Sequence, residues 1–446
     1  MSVRSTGWSI AGMVSTAMSG RWCDVGLRSV LPFAAGSPTD ANDRQEGRRI
    51  LQVLVGTTVV RSLGRGVFIT LMALYLTRFL GFSVAQTGAL LTIGSLAGIV
   101  GSYAFGRLAD RLAPRTIMIA LLLAECVAFA GYALVATYAQ AMALAILLGA
   151  ANLGGSAVRS VVLAREFDGP ERLRFRAMTY MANNAGIGAG AAFATVALVA
   201  DNSDTYRGIL LAAAGLYAAT AIMTRRIPRT SGTFRHEAAD ANPPTRRAAL
   251  FRDRRYLALT AVSAVLGVQL ALIEVAMPLW TTAHTQAPTY LVTVLLIMNT
   301  VLVIVLQLPA ARRSDAPRRA GRAAVYATLA VAAGNVTMWS AQFGGASTTV
   351  PLLVLAVAGW TVGEVAGQAA TWSLSYALTP PAAAGAYQGF FTMGVSVGVM
   401  LGPLIVTTLP LSHGLAGWLA ISAIVMGAGG GLWVVARGVD RAPDAT

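Results

Sequence analysis

Six ionisable side chains sit inside stretches that are otherwise apolar: Arg61, Arg65, Glu125, Arg159, Glu274 and Glu364. Charge in such surroundings is costly and usually functional. Carboxylates and guanidiniums so placed either pair and fix the register of helices, or exchange protons, because burial favours the neutral form of a carboxyl. Arg61 and Arg65 are four apart, hence on one helix face. Arg61 and Glu125 each lie about ten residues into their stretches, roughly 15 Å deep at the rise of a helix, so they are expected partners. A structural ion pair and a functional one are equally open for them. Arg159 lies near the end of its stretch and is expected to snorkel, while also standing as a candidate cavity charge. Glu364 lies near the middle of its stretch and Glu274 toward the outer third. Glu364 is the first candidate for proton exchange, with Glu274 and Glu125 behind it.

Other chemistries find no support. All 34 basic residues are Arg. Without Lys there is neither a Walker-type phosphate loop nor Schiff-base chemistry. His236, His284 and His413 are scattered without metal-ligand spacing, and Cys23 and Cys126 have no reason to meet. No cofactor, metal or catalytic residue is expected.

The elements that carry these charges are apolar stretches long enough to cross a bilayer, which takes roughly 20 residues each. Hydrophobic residues make up 56% of the chain, charged residues 12%, and the mean hydropathy is +0.63. Twelve spans are expected: 51–78, 84–106, 115–135, 139–163, 177–200, 208–224, 256–280, 289–309, 322–342, 349–375, 382–408 and 415–436. Alternate loops are rich in arginine, with nine between Arg225 and Arg255 and five from Arg312 to Arg322. The opposite loops hold only Arg78 and Arg207, with Asp201 and Asp204 nearby. By the positive-inside rule both termini are cytoplasmic. The net charge of +15 is thereby assigned to topology and lipid headgroups rather than nucleic acid.

The expected organisation is a disordered tail (1–49), a six-helix bundle (50–226), a linker (227–255), a second bundle (256–437) and a short tail (438–446). An over-long gene start would also explain residues 1–49. The bundles read as a repeat. Met72-Ala73-Leu74-Tyr75 matches Met277-Pro278-Leu279-Trp280, and Asp110 matches Asp315, both at an offset of 205. Gly186-x-x-x-Gly190 matches Gly398-x-x-x-Gly402 at an offset of 212.

After the second span the chain reads Gly106-Arg107-Leu108-Ala109-Asp110-Arg111-Leu112-Ala113-Pro114-Arg115. This resembles the G-x-L-A-D-R-x-G-R-[RK] signature of the major facilitator superfamily, in the expected loop. Ala113 and Pro114 depart from the pattern. The second copy, Ala311 to Arg318, is degenerate. With Gly363-Glu364 and Gly385-Ala386-Tyr387-Gln388-Gly389, the chain is similar to a bacterial branch of mostly unassigned substrate. The resemblance implies an all-α integral membrane protein in which helices one, four, seven and ten line a central cavity. It implies that Asp110 latches the halves through arginines and the start of helix eleven, which Pro380-Pro381 marks. Arg107, Arg111 and Arg115 are expected mostly to set topology. Tyr75, Gln269, Asn299, Trp360 and Gln368 are weak substrate-contact candidates, with Trp372 beside them, whereas Trp280 is assigned to an aromatic belt. Gly398-x-x-x-Gly402-Pro403 echoes an exporter mark, but in helix eleven rather than five.

The resulting expectation is a secondary transporter, a monomer in the bacterial cell membrane. It moves a small molecule by alternating access, and proton-coupled efflux of a drug-like compound or metabolite is preferred. The cavity is expected to be apolar with few polar groups. Nutrient uptake is the alternative within the class, and a non-transporting receptor the alternative outside it. No nucleophile–base pair points to an enzyme.

Overall fold

The computed structural model describes residues 38–167, 169–200, 202–226, 250–288 and 290–440. The remainder of the expected tail (1–37), most of the linker (227–249), the last residues (441–446) and Asp201 lie outside the described residues. Twelve long helices make up the fold, with no strand among the described residues. They are α1 (Pro38–Leu74, continued by a π-helical turn Tyr75–Phe79), α2 (Val84–Leu108), α3 (Pro114–Leu134), α4 (Tyr138–Glu166), α5 (Gly169–Ala200), α6 (Ser203–Thr224), α7 (Arg254–His284), α8 (Tyr290–Arg313), α9 (Pro317–Ser340), α10 (Ala346–Ala377), α11 (Ala384–Thr408) and α12 (Pro410–Asp440).

Eleven of the twelve are long and apolar enough to span a bilayer by composition. The exception is α9, whose first turns carry Arg318, Arg319 and Arg322 and whose body is rich in alanine. It is held by packing instead: Gly334 lies against Trp360 of α10, and Gly321 against Trp433 and Ala436 of α12.

Local chemistry sets the ends. Ser83 with Gln86, and Thr137 with Gln140, form capping boxes at α2 and α4. Asn202 and Asp253 cap α6 and α7 through the amides of Thr205 and Tyr256. Two helices start well before the expected spans, α1 at Pro38 and α5 at Gly169, and α6, α9 and α12 start five residues early. Residues 169–176 are charged, which lowers hydropathy without breaking a helix. Within α7 the regular helix stops at Gly267 and a π-helical turn covers Leu272–Ala276. Pro278 has no N–H to give the carbonyl of Glu274, and Met277 N–H reaches back five residues to Leu272.

Helices α1–α6 form one half and α7–α12 the other, and the sequence landmarks acquire a structural meaning. Gly186 and Gly190 bring α5 onto the backbone of α1 at Val59 and Leu63; Gly398 brings α11 onto α7 at Ala264. A Cβ at Gly190 or Gly398 would strike those carbonyls. Tyr75 stacks on Tyr206 at the start of α6, as Trp280 meets Trp418 near the start of α12. The halves join along α2 with α11 and α5 with α8.

Candidate functional site

At the arginine-rich end the joint is built around Asp110. Its Oδ1 accepts from the amide of Gly385 at 2.7 Å and its Oδ2 from the amide of Ala386 at 2.8 Å. These are the first amides of α11, where partial positive charge collects. Arg165 of α4 donates to the same carboxylate at 2.7 Å and to the carbonyl of Ala109 at 3.0 Å. The approach is possible because Gly106 lies against Gly385 and Gly389; a side chain there would separate α2 from α11. Arg111 is exposed, and Arg107 and Arg115 are half-buried. None of these three takes a described partner, so the cation on the aspartate comes from α4 and not from the signature itself. Tyr256 donates to the carbonyl of Tyr387 at 2.8 Å, and Tyr387 to Asp253 at 3.3 Å, which ties α7 to α11 at this level.

Deeper in, Arg61 and Glu125 form a two-pronged pair, Nε to Oε2 at 3.0 Å and Nη2 to Oε1 at 2.8 Å. Arg61 also donates to the carbonyl of Asn152 on α4 at 3.0 Å. Both side chains are buried, at 5% and 1% exposure, so α1, α3 and α4 are pinned by one charge-balanced unit. Arg65 lies one turn further along α1 and is half-buried. Arg159 does not snorkel. Its Nη1 folds back toward Gly155, one turn closer to mid-membrane, as side chains on a helix lean toward its N-terminus. Among the described residues, neither Arg65 nor Arg159 has an ion-pair or hydrogen-bond partner.

In the other half, Glu364 of α10 is 5% exposed. Tyr180 of α5 donates its hydroxyl to Oε1 at 2.9 Å and accepts from Gln368 Nε2 at 2.8 Å. This link crosses from one half to the other. Asn299 lies beside the same carboxyl and donates to Thr361 at 2.9 Å. No described cation pairs with Glu364. One turn toward the arginine-rich end, the guanidinium of Arg176 covers the ring of Trp372 at 3.7 Å, again across the halves. A small cleft there is lined by Arg176, Tyr180, Gln307, Gln368 and Trp372. The described contacts between halves thus run from the level of Glu364 to Asp110. Toward the opposite end Ile69 and Leu279 are 59% and 46% exposed, and Glu274 is exposed. Arg65 and Glu274 lie within electrostatic reach across the gap without touching. The described hydrogen bonds, ion pairs and ring contacts between the halves do not extend to that level.

Three expected positions move. Tyr75 donates to the carbonyl of Tyr132 at 3.2 Å and is buried inside the first half. Trp360 donates to Asn335 at 2.9 Å and stacks on Trp418, inside the second half. Trp280 is buried against His284 and Trp418 rather than set in an aromatic belt. Gln269 is buried and faces Gly367 of α10. Tyr180 was not singled out from sequence, and Arg165 and Arg176 read there only as topology.

The Major Facilitator Superfamily family model matches residues 54–403. The chain belongs to the Major Facilitator Superfamily. Solved members of similar fold include the human organic anion transporter MFSD10 (TETRAN), at 15% identity and a TM-score of 0.67, covering 86% of this chain and 99% of that one. The E. coli fucose:proton symporter FucP is similar at 12% identity and a TM-score of 0.67, covering 87% and 98%. A second FucP structure, described as outward in conformation, matches equally well. The sequence matches no curated protein significantly. As a superfamily member the chain is a multi-pass membrane transporter, and of its central charges Glu364 and Arg176 make contacts that cross between the two halves.

Proposed function

We propose that the protein is a proton-coupled carrier that exports a small amphipathic compound by alternating access, with Glu364 as the coupling site. The observation that carries this is the hydrogen bond from Tyr180 to Glu364. A carboxyl held by a phenol of the opposite half can take or lose a proton without orphaning a cation, and the exchange alters a contact between the halves themselves. Glu125 offers no such freedom, being already balanced by Arg61. The seal at the arginine-rich end, with no described hydrogen bond, ion pair or ring contact between the halves at the opposite end, corresponds to an outward-facing state when the arginine loops are cytoplasmic. Rocking of one half on the other would then break the Asp110 and Arg176 contacts. FucP, of the same fold, is described as a proton symporter, and export distinguishes the present reading from it.

The test uses everted membrane vesicles with an acid interior and a panel of amphipathic compounds. Gradient-driven accumulation is expected, with Glu364→Gln transporting but no longer following the pH gradient. Flux that ignores the gradient and survives Glu364→Gln sinks the coupling. Accumulation only in right-side-out vesicles sinks export in favour of uptake.

A further inference from the structure

The two walls of the cavity differ in charge. On the first half, Arg61 is balanced by Glu125, yet Arg65, Arg159 and Arg176 have no acidic partner among the described residues. Arg159 lies within electrostatic reach of Arg61, Arg65 and Arg176. Arg176 donates its Nη1 to the hydroxyl of Ser160 at 3.3 Å, and Ser160 neighbours Arg159 on α4. The guanidiniums therefore follow in order from Arg176 at the aromatic cleft, through Arg159 and Arg61, to Arg65 one turn further along α1. The facing wall supplies Glu274 and Glu364, and the latter is engaged by Tyr180. Unpaired cations beside apolar surface are costly unless something neutralises them. Arg65 and Arg159 nevertheless form no hydrogen bond or ion pair with a carboxylate among the described residues, although Glu125 lies within electrostatic reach of both and Glu274 of Arg65. Guanidinium groups are suited to planar oxyanions and are weakly hydrated, and Trp372 and Tyr376 offer aromatic surface beside Arg176 and Arg172.

We infer that the cargo is a small organic anion, a carboxylate or its equivalent on an apolar or aromatic body, held by Arg65 and Arg159 and passed along this series toward Arg176. This rests on the reading of the protein as a carrier and names the class of its substrate. Glu274 then acts against wrong cargo: as an acid on the opposite wall it repels a second negative charge and keeps the anion on the arginine side.

The experiment measures binding, with no gradient, so that its failure is separable from a failure of proton coupling. The full-length protein in phosphatidylcholine nanodiscs is titrated with aliphatic and aryl carboxylates from butyrate to naphthoate, each beside its neutral amide and its amine. Melting temperature and tryptophan fluorescence are read. Carboxylates are expected to raise the melting temperature and change the fluorescence, with their amides and amines at least about tenfold weaker. Arg65→Gln and Arg159→Gln should each weaken carboxylate binding about tenfold. Arg159→Lys should retain most of it, which separates lost charge from lost fold. Glu274→Gln, which removes that repulsion, should raise carboxylate affinity. The inference is overturned if no carboxylate in the set binds, if the amines bind as well, if either arginine variant binds like the wild type, or if Glu274→Gln weakens binding as much as they do. Repeating the titration with phosphatidylglycerol in the disc addresses the lipid source. Loss of carboxylate binding there would make a headgroup the occupant and exclude a soluble cargo.

Discussion

Glu125 and Glu364 are both carboxylates buried near the middle of the molecule, and their surroundings are opposite. Glu125 meets a guanidinium from its own half through two short hydrogen bonds. Glu364 meets a neutral hydroxyl from the other half. The first arrangement lies within one half, and under the proposed alternating access it stays charge-balanced as that half rocks. The second crosses the surface between the halves. Burial alone therefore does not mark a coupling residue; what matters is whether its partner travels with it.

The comparison breaks most sharply at Glu125. Replacing it with Gln leaves Arg61 buried without a counter-charge, and removing one partner of a buried pair costs about 3–5 kcal/mol. We expect Glu125→Gln to lose most folded protein, read as monodisperse yield and melting temperature in detergent. Glu364→Gln should fold normally, since an amide oxygen still accepts from Tyr180. Equal melting temperatures for the two variants would show that the contrast drawn here is wrong.

Asp110 comes next. It accepts three charge-assisted bonds, from two amides of α11 and from Arg165, and bonds to a charged group contribute about 1.5–3 kcal/mol each. Because these bonds close one end, Asp110→Ala should shift the balance between states more than it unfolds the protein. A cysteine placed at Ala177, near the sealed end, should become reactive to a thiol reagent in that variant. Unchanged reactivity would argue against a latch. Tyr180→Phe removes two hydrogen bonds, the one donated to Glu364 and the one accepted from Gln368, each worth about 0.5–1.5 kcal/mol. Its stability should fall only slightly, while the response of transport to pH should fall strongly.

Much of this was legible in the sequence, for identifiable reasons. The Arg61–Glu125 pair follows from depth, because a helix rises 1.5 Å per residue and the spans have defined starts. The repeat followed from offsets, and its glycine and aromatic landmarks proved to be packing sites. Helix faces were not legible. In a bilayer the lipid face, the bundle face and the cavity wall are all apolar, so periodicity could not tell that Tyr75 and Trp360 turn into their own bundles. Arg159 was misread although its direction is encoded. A side chain leans toward the N-terminus of its helix, and on α4 that means toward mid-membrane. Arg165 and Asp110 are 55 residues apart and meet only through the packing of α2 on α4, which no local pattern announces.

The smallest effect is expected at Asp315, where the internal repeat offers its own control. It occupies the position of Asp110 in the second half, and sequence equivalence alone would give it an equal share in closing the carrier. The structure gives it a different neighbour. It lies in the turn before α9 and pairs with Arg319, four residues on in the first turn of that helix, at 2.9 Å, and the two side chains are 24% and 58% exposed. An exposed ion pair contributes about 0.2–1 kcal/mol. It also spans no boundary, because both residues belong to one half. Asp315→Asn should therefore leave the melting temperature within error, the cysteine reactivity near the seal unchanged and transport intact. Should it open the sealed end as far as Asp110→Ala does, closure would depend on net charge across the loops rather than on a carboxylate seated on the amides of α11.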